Sequence, residues 1–227
     1  GDQIAENLFS AQYAQYFANN AAYFPSDRYT MVSDWAQGNF DPIYTRVVPQ
    51  LQVILEQKDP GSAEAALANI WWVFAFHRIT DYWGPIPYFS AGQPGTSVVY
   101  DPQDKIYDDF FKRLAAAVVI LETKRSETPF GKFDLLYNGN VDKWIKLANT
   151  LRLRLAVRVS NVDPTRAKTE GEAAFAGGVF TSSPGDDTYA PRNSLDPNRI
   201  SQMSDWNEFR MSATMESLLK GYDDPRK

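Results

Sequence analysis

The stretch Ala65 to Tyr88, AALANIWWVFAFHRITDYWGPIPY, decides how the rest of the chain is arranged. Ile70 to Phe76 is an unbroken apolar block. A block that short can be a buried strand, and periodicity alone does not separate the two. Its length with the alanine-rich lead-in favours helix. A helix apolar on all sides must be packed on more than one side. Gly84 is placed to end it, and Pro85 and Pro87 forbid continuation. Tyr82, Trp83 and Tyr88 bracket the resulting corner. The surrounding chain is therefore expected to be helices laid around this one.

Helical spacing recurs on both sides. Tyr44, Val47, Val48, Leu51 and Leu55 predict a helix over 42–57, bent at Pro49. Tyr107, Phe110, Phe111, Leu114, Val118 and Leu121 predict one over 102–122. Asn140 is placed to cap a helix to Ser160, with Trp144, Ala148, Leu151 and Leu155 as its apolar stripe. Ile4, Leu8, Phe9, Tyr13, Tyr16 and Phe17 predict a first helix over 2–20, and 208–220 reads as the last. Asp-Pro recurs at 41–42, 59–60, 101–102 and 163–164, ahead of helical patterns. Asp can cap a helix start and Pro suits the first helical position. Strand signals are thin: 97–100 and 178–180 could pair at an edge. The fold class is all-α, built from antiparallel helix pairs. Helix starts near 60, 101, 140 and 164 are unevenly spaced. A strict tetratricopeptide array repeats about every 34 residues, so the chain reads as a degenerate helical repeat with long inserted loops.

Composition excludes several functions. The net charge of −5 is made of interspersed acids and bases, without the clustered basic surface that phosphate binding needs. There is no cysteine, hence no disulfide and no thiol chemistry. No run of about 18 apolar residues is present. His77 is the only histidine and lies in the most apolar helix, where it reads as a core residue. No phosphate loop, dinucleotide fingerprint or nucleophile elbow occurs. Asp186/Asp187 and Asp223/Asp224 are paired acids, but adjacent loop acids are so common that they carry almost no signal, and a glycan-processing enzyme is a third reading that rests on them alone. No cofactor and no metal site is expected, and the chain reads as a binding protein rather than an enzyme. Arg152, Arg154 and Arg158 read as a solvated or salt-bridged helix face.

The loops hold what remains. Between Ala21 and Phe40, Tyr23, Phe24, Tyr29, Trp35 and Phe40 stand beside Asp27, Arg28 and Asp34. Rings in a polar loop either pin it to the core or recognise a ligand. A second polar stretch, 181–207, carries Tyr189, Arg192, Asn193, Arg199 and Trp206. Aromatic faces flanked by Asp, Asn and Arg suit sugars, though the same surface can hold peptide.

These pieces, in this order, resemble the SusD/RagB family of outer-membrane nutrient-binding lipoproteins. IAENLFSAQYAQYFANN resembles the family's first helix and FPSDRYTMVSDW the loop after it. DYWGPIPY resembles its characteristic corner, YDDFFKRLAAAVVIL the next helix, and NVDKWIKLANTLRLRLAVRVS a later one. FRMSATMESLLKGYDDPR resembles a segment ending in an Asp-Pro-Arg turn. Together they span nearly the whole chain. The resemblance implies a tetratricopeptide-like scaffold in one SusD-like domain over 1–227, incomplete and N-terminal in a longer protein. It implies lipid anchoring on the outward face of the cell outer membrane, typically of Bacteroidetes. It implies a partner, a SusC-like TonB-dependent transporter, and capture of oligosaccharide, or in some members peptide, for uptake. The family's lipid-bearing cysteine has no counterpart in this sequence. A helical-repeat adaptor for protein segments is the rival reading outside the family.

The resemblance directs attention to the loop after the first helix. There it implies ligand-binding roles for Asp27, Arg28, Tyr29 and Trp35, with Asp34 and Asn39 beside them. Trp35 would be the stacking platform and Arg28 the polar partner. Trp83, Trp206 and Asn207 are further candidates.

Overall fold

The computed structural model describes residues 9–93, 97–181 and 199–226, except the side chains of Ala36, Asn39, Arg199 and Ile200. In chain order the elements are α1 (Ala11–Tyr13), β1 (Phe17–Asn19), α2 (Ser33–Pro42), α3 (Val48–Gln57), α4 (Ala63–Trp83), α5 (Gln103–Glu122), α6 (Val141–Val159), α7 (Pro164–Ala176), α8 (Arg199–Asp205), β2 (Phe209–Met211) and α9 (Ala213–Gly221). The fold is a helical, tetratricopeptide-like repeat with long inserted loops. Its described residues form two compact units. One spans Ile43–Ala190, and the other joins Gly1–Pro42 to Pro191–Lys227.

In the Ile43–Ala190 unit each helix from α3 to α6 packs on its successor. The expected central helix is α4. Ser62 caps its start, its hydroxyl accepting from the Ala65 N–H at 3.2 Å. Leu67, Ile70, Val73, Phe76 and Ile79 are buried, while Trp71, Phe74 and Arg78 form a narrow exposed stripe. Gly84 ends the helix at φ +72°, and its N–H closes on the Thr80 carbonyl at 2.8 Å. The corner is then locked by Tyr88. Its ring lies 4.9 Å from Phe76 and 5.5 Å from Phe110, and its hydroxyl donates to Asp109 at 2.5 Å. Burial raises the pKa of that phenol, which keeps it a donor.

The Asp-Pro device works once. Asp163 caps α7, accepting from the Arg166 N–H at 3.0 Å. Asp101 instead reaches back to the corner and accepts from the N–H groups of Tyr88 and Phe89 at 2.8 and 2.9 Å. Asp59 closes its own turn on the Gly61 N–H at 2.7 Å, and Asp41 lies inside α2. Asn140 caps α6 as expected, at 3.1 Å from the Lys143 N–H. Pro49 sits in the first turn of α3, where no helical N–H is lost. The irregularity falls ahead of it, as a π-helical turn over Ile43–Val47. Residues 178–180 form no strand, and the Phe180 N–H donates to Thr150 at 2.9 Å. Near 97–100 the only pairing among the described residues is the Ile86–Asp101 bridge. Of the three helix arginines, Arg152 pairs with Glu170 at 2.6 Å and Arg158 with Asp81 at 2.9 Å.

In the other unit the first helix ends at Tyr13, earlier than the spacing predicts, and residues 2–8 of that expectation lie outside the described residues. After α1 the chain extends into β1, which pairs antiparallel with β2, Phe17 opposite Met211 and Asn19 opposite Phe209. Phe17 and Phe209 meet edge to face at 4.9 Å. Ser212 caps α9, its hydroxyl accepting from the Met215 N–H at 3.0 Å. The loop expected over 21–40 gives way at Ser33 to α2.

Two outcomes follow from this packing. Asp134 is buried and its carboxylate accepts from the N–H groups of Leu136, Tyr137 and Gly139 and from Trp144 Nε1 at 2.6 Å. Asp134→Ala strands those donors and is expected to cost roughly 3 kcal/mol in a denaturant titration. A loss below about 1 kcal/mol would show that water replaces the carboxylate.

His77 supplies the second. Burial lowers its pKa and Arg154 acts the same way, against the Val73 carbonyl and Asp81. The unfolded chain therefore takes up a proton near pH 6.5 that the folded protein resists. The stability His77 contributes is complete above that pH and falls as pH drops through it. His77→Gln removes this slope from stability measured between about pH 7 and 5.5. An unchanged slope would mean that another group titrates there.

Candidate functional site

The 20–32 loop is held from beneath by a pair of amides. Gln12 is fully buried, and its Nε2 donates to Asn19 Oδ1 at 2.6 Å. Asn19 Nδ2 returns a bond to Gln12 Oε1 and gives its second proton to the Phe24 carbonyl at 2.7 Å. The Asn19 backbone N–H donates to Asp27 Oδ2 at 2.9 Å. Each of these groups is spent on the loop, so its path is fixed by polar bonds as well as by rings.

On that frame stand two separate sets of aromatic contacts. Tyr23 and Phe24 meet at 4.4 Å, and Phe24 meets Trp35 at 5.7 Å. Tyr29 is 61% exposed and leans on Tyr13 at 5.8 Å. Its backbone sits in the left-handed region at φ +60°, closing a 3-10 turn over Ser26–Arg28. That conformation turns the residue outward at a local energetic cost. The Tyr13 hydroxyl is buried and has no hydrogen-bond partner among the described residues.

The later segment reaches the same loop. The Tyr23 hydroxyl donates to Glu208 Oε1 at 2.8 Å, and that carboxylate raises the phenol's pKa. The Asn20 side chain donates to the Asn207 carbonyl at 3.2 Å. Trp206, half exposed, precedes this tie.

The predicted residues therefore divide. Tyr29 and Trp35 belong to the ring array, and Trp206 and Asn207 lie in the segment tied to it. Asp27 is an anchor, accepting from Asn19 and from Arg28. Arg28 donates to the carbonyls of Ala22 and Phe24 at 3.1 and 3.2 Å, yet its side chain remains 54% exposed. Asp34 is exposed in the first turn of α2. Asn39 lies in α2 with its side chain outside the described residues. Trp83 is in the other unit, at the end of α4. Asp186, Asp187, Tyr189, Arg192 and Asn193 lie outside the described residues. The structure adds Gln12, Asn19, Tyr13 and Glu208, which carry no local sequence signal for such a role. No group of three or more His, Cys, Asp or Glu side chains suited to a metal occurs among the described residues. No described helix is long and apolar enough to cross a membrane.

If the amide pair holds the loop, Asn19→Ala loosens it. Trypsin should then cut after Arg28 about tenfold faster, as a local opening made about 1.4 kcal/mol easier requires. Equal cleavage rates would show that the rings alone hold the loop.

The sequence matches the SusD-like family model, described as Susd and RagB outer membrane lipoprotein, over residues 2–227. Among solved structures, a chitin-binding SusD homolog from Flavobacterium johnsoniae is 34% identical, with a TM-score of 0.90 over 99% of this chain and 48% of its own. A second chitin-binding protein is 32% identical, with a TM-score of 0.84 over 99% of this chain and 49% of its own. A SusD-like protein from Bacteroides thetaiotaomicron VPI-5482 is 27% identical, with a TM-score of 0.89 over 100% of this chain and 48% of its own. The chain thus spans about half the length of these relatives. No curated protein matches it.

Proposed function

Because the chain belongs to the SusD/RagB family of outer-membrane lipoproteins, we propose that it is a cell-surface glycan-binding module that delivers oligosaccharide to a SusC-like TonB-dependent transporter. It makes and breaks no bond in its ligand. In this reading the protein is lipid-anchored and faces outward from the outer membrane. The observation that carries the reading is the ring array of Tyr23, Phe24, Tyr29 and Trp35 on a loop fixed by Asn19 and Asp27.

The chemistry suits a pyranose. Its C–H face lies on a ring, and its hydroxyls meet flanking donors and acceptors. Tyr29 and Trp35 offer the faces. Arg28 offers guanidinium N–H groups at the exposed end of a side chain already anchored through its neighbours. A preformed loop loses little entropy on binding. The two chitin-binding relatives support oligomers of N-acetylglucosamine as the first ligand to try.

Titration calorimetry of the full-length protein with chitotetraose, cellotetraose, maltotetraose and xylotetraose tests this. One glycan class should bind, with Trp35→Ala weakening it about tenfold and leaving the sugar uncleaved. Binding of short peptides with no glycan signal would move the protein to peptide capture. Release of shorter sugars would overturn the non-catalytic reading.

A further inference from the structure

A second feature lies wholly within the Ile43–Ala190 unit. The end of α4, the start of α5, the end of α6 and the start of α7 surround a cleft of about 730 Å³. That volume falls within the range of about 300–1,000 Å³ usual for small-molecule sites. Asp81, Tyr107, Asp108, Arg158, Val162 and Arg166 are among its lining residues.

Most charges on the wall are already paired, with four carboxylates, Asp104 and Asp163 included, facing three cations. Asp81 accepts from Tyr107 Oη at 2.5 Å and pairs with Arg158 Nε at 2.9 Å. Asp108 pairs with Arg166, and Lys105 stands 3.5 Å from its other oxygen. The Arg166 guanidinium is stacked over the Phe111 ring at 5.1 Å, which fixes its plane. Both arginines keep part of their surface open, at 53% for Arg158 and 33% for Arg166. Each guanidinium has five N–H donors, and each carboxylate about four acceptor sites. The ion pairs use only some of them. Val159 and Val162 supply an apolar strip alongside.

We propose that this cleft is a second saccharide site, one that holds ring hydroxyls on the Asp81–Arg158 and Asp108–Arg166 pairs. The pairing decides the ligand's charge. An ionic or zwitterionic ligand would have to break contacts already made. A vicinal diol need break none, because one hydroxyl donates to the carboxylate while its neighbour accepts from the guanidinium. The valine strip takes the C–H face. This cleft shares no residue with the ring array. The choice of sugar as ligand rests on the glycan reading above, whereas the cleft itself does not.

The test uses the full-length protein and the same four tetrasaccharides. The best binder should show two sites on the wild type. Trp35→Ala should keep one of them. Adding Arg166→Met, which keeps the stem over Phe111 but removes the donors, should weaken that remaining site about tenfold or more. Val162→Trp, which adds bulk at the apolar edge of the cleft and leaves all four ion-pair residues in place, should do the same. Hydrogen–deuterium exchange should slow in 103–111 and 158–166 when sugar is present. The remaining affinity should change less than about twofold between about 50 and 500 mM NaCl, as a neutral ligand requires. Binding abolished by Trp35→Ala alone would overturn the cleft and leave the loop site standing. Binding untouched by Trp35→Ala but lost in Val162→Trp would support the cleft and remove the loop assignment. A steep fall with salt would overturn the neutral ligand. Silence of the wild type towards all four sugars would overturn both sites.

Discussion

Burial of α4 is the constraint on which the larger unit depends. A helix carrying Leu67, Ile70, Val73, Phe76 and Ile79 inward cannot stand at a surface. Fully burying one such side chain is worth about 1.5–3 kcal/mol, so the helices beside α4 are held to it by several such contributions. The end of α4 is as determined as its middle. Gly84 takes the left-handed turn, Pro85 and Pro87 prevent a restart, and Tyr88 brings the chain back against Phe76 and Phe110. Asp101 and Asp109 then satisfy the polar groups that this return would strand. Hydrophobic packing chooses the corner, and two carboxylates make it affordable.

The other unit is organised on a different principle. Its apolar surface is largely in rings, and many of those are open to solvent. Tyr16, Tyr23, Tyr29, Trp206 and Tyr222 are all exposed. Order comes instead from backbone pairing between β1 and β2 and from the Gln12–Asn19–Asp27 bonds. Such a frame can leave aromatic faces outward without losing its shape, which is what a preformed sugar platform needs.

This difference explains what the sequence made legible. α4 to α7 were readable because their partners are their chain neighbours, so local periodicity and tertiary packing agree. Asn140 and Asp163 could be placed as caps for the same reason. Asp101 could not, because its carboxylate bonds a turn more than ten residues earlier. The end of the first helix was placed too late because β1 pairs with a strand nearly two hundred residues later, and that contact leaves no trace near Phe17. At the candidate site the rings and Arg28 were visible as rings and charge in a polar loop. The anchors were not, since nothing near Gln12 or Asn19 marks two ordinary amides as a buried reciprocal pair. The bonds of the Asp27 carboxylate to the Asn19 N–H and to Arg28 likewise leave no mark in the local sequence.

The central claim is that an anchored ring loop presents a saccharide platform. The most direct measurement is a crystal structure of the full-length protein with its tightest-binding tetrasaccharide. The account predicts a sugar ring lying on Trp35 or Tyr29, with Arg28 within hydrogen-bonding distance of a hydroxyl and the Asn19–Asp27 contact unchanged. A saccharide bound elsewhere, with the 20–40 loop bare, would contradict it.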